Sequence, residues 1–313
     1  MSSLFVAGIQ LLHVPDGFLN IPISVICWVV TLIVLYFAVK QAQHDFDERL
    51  VPLAGIMAAF IFAGQMLNFP VAGGTSGHLI GATLAFIVLG PWVGTLAMTA
   101  VISLQALIFQ DGGLVVMGAN IMIMGIVPGF VGYGVFQMVK NQSRGVKLGA
   151  TAVAAWASVM MAALVTAFLL GFSGTTALGV AIPAMLGVHA LIGIGEALIT
   201  VAALSFIMQT RPQLLTDDAP AGSGKWIVSG IILALMVVLL APFASGSPDG
   251  LEWVAGQSGF LETAVDAPFQ LLPDYTIPGL GETGTSTILA GVIGALIVAA
   301  VTFGLGRLLR RQG

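Results

Sequence analysis

The sequence predicts an all-α polytopic membrane protein of about nine transmembrane helices, a seven-helix core followed by a two-helix hairpin, with the N-terminus outside and the C-terminus cytoplasmic. Three observations predict it. The 313 residues are 58% hydrophobic and only 8% charged, where a soluble domain carries about 25% charged residues, and mean hydropathy is +1.05. Apolar runs of about 20 residues, the length that crosses a bilayer, recur along the chain. Finally, the cations sort completely to one side.

The runs fall at 20–41, 51–68, 78–90, 92–110, 115–139, 148–170, 179–208, 226–244 and 285–306. Chain breakers separate them: Asn68-Phe69-Pro70, Gly90-Pro91, Asp111-Gly112-Gly113 and Gly171-Phe172-Ser173-Gly174. Lys40 and Arg49 flank the loop after the first run. Lys140, Arg144 and Lys147 follow the fifth, Arg211 and Lys225 the seventh, and Arg307, Arg310 and Arg311 end the chain. With nine crossings, all ten lie on one face, which the positive-inside rule makes the cytoplasm. The other face carries acids only: Asp16, Asp111, Asp249, Glu252, Glu262, Asp266, Asp274 and Glu282. Four segments follow: an extension at 1–11, a membrane domain at 12–208, a polar cytoplasmic linker at 209–225 and a hairpin domain at 226–313 whose outer loop, about 245–284, is long and acidic. A loop of that length usually has a function.

Several function classes drop out. Ten Lys and Arg with a formal net charge of -4 argue against nucleic-acid binding. Cys27 is the single cysteine, so no intrachain disulfide forms, and it reads as a small core residue. No Gly-x-x-x-x-Gly-Lys-[Ser/Thr] loop occurs, so the chain has no ATP hydrolysis of its own by that route.

Two histidines draw attention. His13 lies in Leu12-His13-Val14-Pro15-Asp16-Gly17 and His78 in Gly73-Gly74-Thr75-Ser76-Gly77-His78, both on the outer face. Two imidazoles converging at a membrane surface point to capture of a transition-metal ion. The segment before His13 is too short to span and lacks a basic region and a cleavage site, so it is a poor signal peptide. The segment reads either as a short surface helix or as absent from the mature protein, in which case translation begins at Leu12 from a non-standard codon. The Leu12 amine, the His13 amide and the His13 Nδ1 then form a planar chelate, with His78 as a fourth donor. Planar nitrogen donors favour Ni(II) or Cu(II), and imidazole also suits cobalt.

The longer motifs carry a resemblance. His13-Val14-Pro15-Asp16-Gly17-Phe18-Leu19, the run Gln65 to Leu79, Asp111-Gly112-Gly113, Gly118-Ala119-Asn120 and the run His189 to Thr200 resemble the CbiM/NikM family. These are the substrate-specific membrane subunits of cobalt and nickel energy-coupling-factor (ECF) transporters. Ser247-Pro248-Asp249-Gly250-Leu251-Glu252 resembles the Pro-Asp-Gly-Leu-Glu signature of the companion CbiN/NikN component, so the chain resembles a fusion of the two. The resemblance implies metal ligands at Leu12 (its amine), His13 and His78, with Co2+ or Ni2+ as cargo and no permanent cofactor. It also implies a membrane coupling subunit, two cytoplasmic ATPase subunits and a reorientation that carries the site across the bilayer. Leu stands where the family begins with Met.

Other residues have two readings each. Asn68, Thr75 and Ser76 either fix the His78 ring or serve the turn. His189 and Glu196, seven apart on one helix face, either pair between helices or line a coupling or release path. In that second role they support a different function, a stand-alone proton-coupled metal transporter. Asp249 and Glu252 are candidates for loading the ion from the acidic loop. The 13 methionines, among them Met122, Met124, Met160 and Met161, raise a copper route, but Met in apolar helices mostly fills gaps. Gly171-Phe172-Ser173-Gly174 resembles an intramembrane protease loop, yet His189 lies roughly 15 Å down the next helix from Ser173. His44, Asp45, Asp47 and Glu48 read as a solvated loop.

Overall fold

The computed structural model describes residues 13–44, 47–48, 50–215 and 224–310. The expectations placed on the extension, Leu12, Asp45, Arg49 and Arg311 lie outside the described residues. Helix α1 spans Ile21–His44, α2 Leu50–Gln65, α3 Ala82–Leu104, α4 Met117–Asn120, α5 Val127–Gln137, α6 Arg144–Phe172 and α7 Leu178–Thr210. In the C-terminal half, α8 spans Gly224–Val238, α9 Gly250–Ser258 and α10 Gly284–Arg310. Six stretches among the described residues are long and apolar enough to cross a membrane, and Leu50–Gln65 and Ile227–Phe243 are shorter apolar helices.

The outer surface confirms the solvent these helices were built for. Helix α1 buries only Ser24, Cys27, Thr31, Ala38 and Ala42, while Val25, Val29, Leu32, Ile33 and Phe37 stay exposed, as a lipid-facing helix requires. Its buried stripe is small and polar, and Thr31 donates to the Gly118 carbonyl at 2.7 Å. Small residues set the other helix contacts too. Gly193 of α7 lies against the indole of Trp156 on α6, and Gly55 of α2 against the backbone of Ala299 on α10. Gly294 of α10 receives the Phe62 ring. The C-terminal hairpin is thereby seated on α2.

The expected third and fourth spans need correction. Helix α3 contains Gly90 at φ 75°, ψ 166°, followed by Pro91. A Cβ built on Gly94 would lie 3.2 Å from the Cα of Phe86, eight residues back. A continuous helix would hold those positions about 12 Å apart, so the chain folds back on itself at Gly90-Pro91. The first arm, 82–89, is half a helix, too short to cross a hydrocarbon core of about 30 Å. The stretch before it is not helical. Phe69–Val71 (β1) and Thr75–Gly77 (β2) form a small antiparallel hairpin, with Pro70 opposite Ser76, and the chain reaches Gly81 in extended and turn conformations.

This irregular segment is packed between α2 and α7. Gly77 lies against Ile192, the Phe69 ring against Gly195, and Gly81 against Ile61. Backbone that leaves the helix among apolar helices needs internal partners. Glu196 supplies them: its fully buried carboxylate accepts the Ile80 N–H at 2.6 Å and the Gly81 N–H at 2.9 Å. Gln65 donates to the Ile80 carbonyl at 2.9 Å. The intramembrane carboxylate thus caps the entrance to the half-helix. Glu196→Ala strands two buried amides, which costs about 1–3 kcal/mol each. The thermal midpoint in detergent is expected to fall by roughly 5 °C or more, with Glu196→Gln recovering only part because it keeps one acceptor. An unchanged midpoint in Glu196→Ala would show that the carboxylate does not hold this loop.

Candidate metal centre

The segment 13–20 enters the structure as irregular and turn backbone with a single bridge from Asp16 to Val265, and is fixed residue by residue. Val14 forms a two-way pair with Asn120: its N–H donates to Oδ1 at 3.0 Å, and its carbonyl accepts from Nδ2 at 2.9 Å. Asp16 accepts the N–H groups of Leu114, Val115 and Val116 at 3.0, 2.9 and 3.1 Å, closing the turn before α4. Phe18 is fully buried and meets Phe260 edge-on at 5.1 Å. Gly17 has φ 92°, and any side chain there would overlap the Thr263 carbonyl.

These anchors deliver His13 to Asp111. The His13 Nδ1 lies 2.8 Å from Asp111 Oδ1 and 3.0 Å from the Asp111 carbonyl oxygen. The carbonyl accepts the Nδ1–H, with the carboxylate oxygen beside it as an ion-pair contact that makes no hydrogen bond of its own, which leaves the lone pair on Nε2. Nε2 is buried and has no hydrogen-bond partner. Burial opposes a charged ring, but the Asp111 carboxylate outweighs it and holds the His13 pKa above its ordinary 6.5. The other Asp111 oxygen accepts the Tyr275 hydroxyl at 2.6 Å. Asp111 itself follows a π-helical turn, Gln105–Phe109, and Gln110 at φ 55°, a distortion of the kind often found at functional sites.

His78 arrives from the hairpin β1–β2. Its ring centroid lies 5.9 Å from that of His13, with the planes at 70°, and its Nδ1 faces the Leu79 carbonyl at 3.1 Å. The two histidines line a cavity of about 70 Å³ together with His189, Asp249, Gly250 and apolar side chains of α6 and α7. His189 sits one turn from Met185, whose carbonyl lies 2.8 Å from the His189 Nδ1. Gly250 covers His189 so closely that a Cβ there would lie 2.9 Å from the ring. Asp249 caps α9 by accepting the Glu252 N–H at 2.7 Å, and burial pushes its carboxyl up to about 7.

Some expected roles are rewritten. The hydroxyls of Thr75 and Ser76 do not serve the ring they precede. Thr75 donates to the Pro248 carbonyl at 3.1 Å and Ser76 to the Ser247 carbonyl at 2.8 Å, while the Asn68 carbonyl accepts the Ser245 N–H at 2.7 Å. Thr75 and Ser76 thus tie the hairpin to the start of the Pro-Asp-Gly-Leu-Glu stretch, and Asn68, through its backbone, to the segment just before it. Glu252 supplies the capping amide of α9 and is not among the cavity-lining residues. The chelate expected through His13 Nδ1 would need that ring turned over about Cβ–Cγ, because Nδ1 is engaged by Asp111. Ser173 ends α6 with a buried hydroxyl that has no hydrogen-bond partner, hence no activating base. Asp111 and Tyr275 were missed as site residues. The Asp-Gly-Gly motif was visible, but nothing in sequence ties it to His13, 98 residues away.

Among the described residues, no group of three His, Cys, Asp or Glu side chains could hold a metal ion. Two imidazoles on one ion, each at a metal–nitrogen distance of about 2 Å, place their centroids about 4.5–6 Å apart according to the angle at the metal. The observed separation falls in that range.

A multi-span helical bundle with two imidazoles on one cavity defines a multi-pass membrane protein with a candidate metal site. Residues 13–214 match the family model "Cobalt uptake substrate-specific transmembrane region" (CbiM), and residues 224–311 match the PDGLE domain. The chain belongs to the CbiM family, followed by a PDGLE domain, and is a multi-pass nickel/cobalt transport protein rather than an enzyme. It is 37% identical over 304 residues to the "Putative fused nickel transport protein NikMN" of Archaeoglobus fulgidus, covering 96% of this chain and 99% of that one. It is 28% identical to the "Fused nickel transport protein NikMN" of Rhodobacter capsulatus, covering 96% of this chain and 100% of that one. A crystal structure described as a truncated transition metal transporter aligns with TM-score 0.57 and 35% identity, covering 63% of this chain and 98% of that one.

Asn120→Ala removes both side-chain bonds to Val14. Cleavage within 13–20 by a broad-specificity protease is expected to rise at least several-fold over the wild type, read by peptide mass mapping. Unchanged protection would show that Asn120 does not anchor the segment.

Proposed function

We propose that this chain is the substrate-capturing subunit of an ATP-driven ECF-type importer of Ni2+ or Co2+, and that the ion sits between His13 and His78. The single observation that carries this reading is the pair of rings 5.9 Å apart, one of them presenting a buried, partnerless Nε2 to the cavity. Borderline imidazole donors without thiolates select late first-row divalent ions over Mg2+ and Ca2+. The Leu12 amine adds a donor in a chain that starts there. Lacking a phosphate-binding loop, the chain works with ATPase subunits and a membrane coupling subunit supplied in trans. Asp249, buried at the cavity wall, favours loading of a cation from the acidic loop.

The rival reading, a proton-coupled transporter relaying through His189 and Glu196, is less well supported by the geometry. Both Glu196 oxygens are occupied by backbone N–H donors, and His189 Nδ1 is held by its own helix. Ion uptake by vesicles carrying this chain alone, driven by a proton gradient, would favour that rival.

Calorimetry on the detergent-solubilised protein tests the site. His13→Ala and His78→Ala are each expected to weaken Ni2+ and Co2+ binding by 100-fold or more, and wild-type affinity in both variants would overturn the reading.

The pH profile follows from the Asp111 pairing. A proton on His13 Nε2 competes with the ion, and the His13 pKa lies above 6.5. Affinity is therefore flat well above that pKa and declines as pH falls through it, by up to about tenfold per pH unit for one displaced proton. In Asp111→Asn the decline is expected to begin at lower pH. A profile independent of pH from 8 to 5 would contradict proton competition at His13.

A further inference from the structure

We propose that Met124, Met185 and His189 form a second metal site in the cavity, which takes a soft monovalent cation, Cu(I) or Ag(I), on two thioethers and one neutral imidazole. The three side chains line the same cavity as His13 and His78, but they are a different donor set and suit a different class of ion. The proposal stands on this geometry and not on the reading of His13 and His78 as a nickel or cobalt site.

Met185 and His189 are four residues apart on α7, so their side chains are neighbours on one face. The His189 Nδ1 lies 2.8 Å from the Met185 carbonyl. A carbonyl only accepts, so Nδ1 carries the proton and Nε2 keeps its lone pair. Beside that nitrogen stands Gly250, where a Cβ would lie 3.2 Å from Nε2. With no side chain there, the space next to the lone pair stays open. Met124 reaches the cavity from another span, out of the π-helical stretch Ile121–Ile126. A π-helical turn set within helix is often found at a functional site.

Methionine in an apolar bundle usually fills a gap, and a gap so filled is closed. These two are buried, yet they border a cavity of about 70 Å³ that remains open between them and His189. Their chemistry then matters. Thioether sulfur is a soft donor that selects Cu(I), and imidazole joins it readily. All three donors are neutral, and apart from Thr166 the wall that α6 adds is apolar: Val159, Ala162 and Ala163. The cost of moving an ion from water into such surroundings rises with the square of its charge, so a monovalent ion costs about a quarter as much to seat as a divalent one of the same size. Soft, monovalent and satisfied by few donors describes Cu(I) and Ag(I), and not Mg2+ or Ca2+, which need oxygen donors.

Ag+ is the probe, because it matches Cu(I) in charge and donor preference and keeps its oxidation state. It is titrated in chloride-free buffer into full-length wild type, Met124→Leu/Met185→Leu, His189→Gln and His13→Ala/His78→Ala, with Ni2+ titrated in parallel. The silver-edge X-ray absorption of wild type loaded with one equivalent is also recorded. Leucine keeps nearly the volume of methionine, so the methionine variant is expected to hold its thermal midpoint within a few degrees and its Ni2+ affinity within about threefold. Affinity at the tightest Ag+ site is expected to fall by about 100-fold or more in that variant and by about tenfold or more in His189→Gln, as donors are lost. His13→Ala/His78→Ala should keep the Ag+ site, and the silver spectrum should show sulfur neighbours. Wild-type Ag+ affinity in the methionine variant would overturn the proposal, as would a loss confined to His13→Ala/His78→Ala, which would put the soft ion on that pair. Equal loss of Ni2+ and Ag+ in the methionine variant would overturn it too, since the donor sets would not be separate. A silver spectrum with only nitrogen and oxygen neighbours would do so without recourse to any variant. Ni2+ binding that survives in His13→Ala/His78→Ala would remove the nickel and cobalt reading and leave this site standing.

Discussion

Chain that leaves regular helix inside an apolar bundle must find every hydrogen-bond partner within the protein. The two histidines proposed to bind the ion sit on such chain. His13 belongs to a strand held by Asn120 and Asp16, and His78 to a hairpin whose exit is held by Glu196. The buried carboxylates and amides of this protein are therefore used first to keep irregular backbone in place, and that backbone brings two imidazoles together. An unpaired amide at Ile80 or Val14 would cost about 1–3 kcal/mol, so Glu196 and Asn120 stabilise the backbone that carries His78 and His13.

The same constraint explains what was legible in the sequence. Apolar runs and cation sorting reveal helices because the lipid demands uniform composition along each span, and α1, α6 and α7 lie close to the expected ranges. The break at Gly90-Pro91 was also readable, since only glycine accepts φ 75° there and proline cannot extend the preceding helix. The span 78–90 was not: its apolar residues look like a helix, but 78–81 run irregularly between α2 and α7, a choice set by packing partners such as Ile61 and Ile192. His13 and His78 stood out as lone polar rings in glycine-bearing motifs. Their partner Asp111 did not, because its role arises from contacts 98 residues apart. Glu196 was visible as a costly intramembrane acid, yet its target, two backbone amides, leaves no side-chain signature.

Residues from both halves of the chain line one cavity. Thr75 and Ser76 are turn residues by composition, and their hydroxyls tie the β1–β2 hairpin to Ser247 and Pro248. The motif glycine at 250 lies on His189 with no room for a methyl group, while Asp249 caps α9 and faces the cavity. Further along the outer loop, the Val265 N–H donates to the Asp16 carbonyl and the Tyr275 hydroxyl to Asp111. The C-terminal hairpin thus touches both the β1–β2 hairpin and the segment that carries His13.

The central claim is that both imidazoles bind one ion. X-ray absorption at the nickel edge of the Ni2+-loaded protein reads this directly, because an imidazole ring leaves a characteristic outer-shell scattering pattern. The account predicts a shell of nitrogen and oxygen donors at about 2 Å with outer-shell scattering from two imidazoles, falling to one in His78→Ala. A nickel spectrum without imidazole scattering, or one that His78→Ala leaves unchanged, would contradict it.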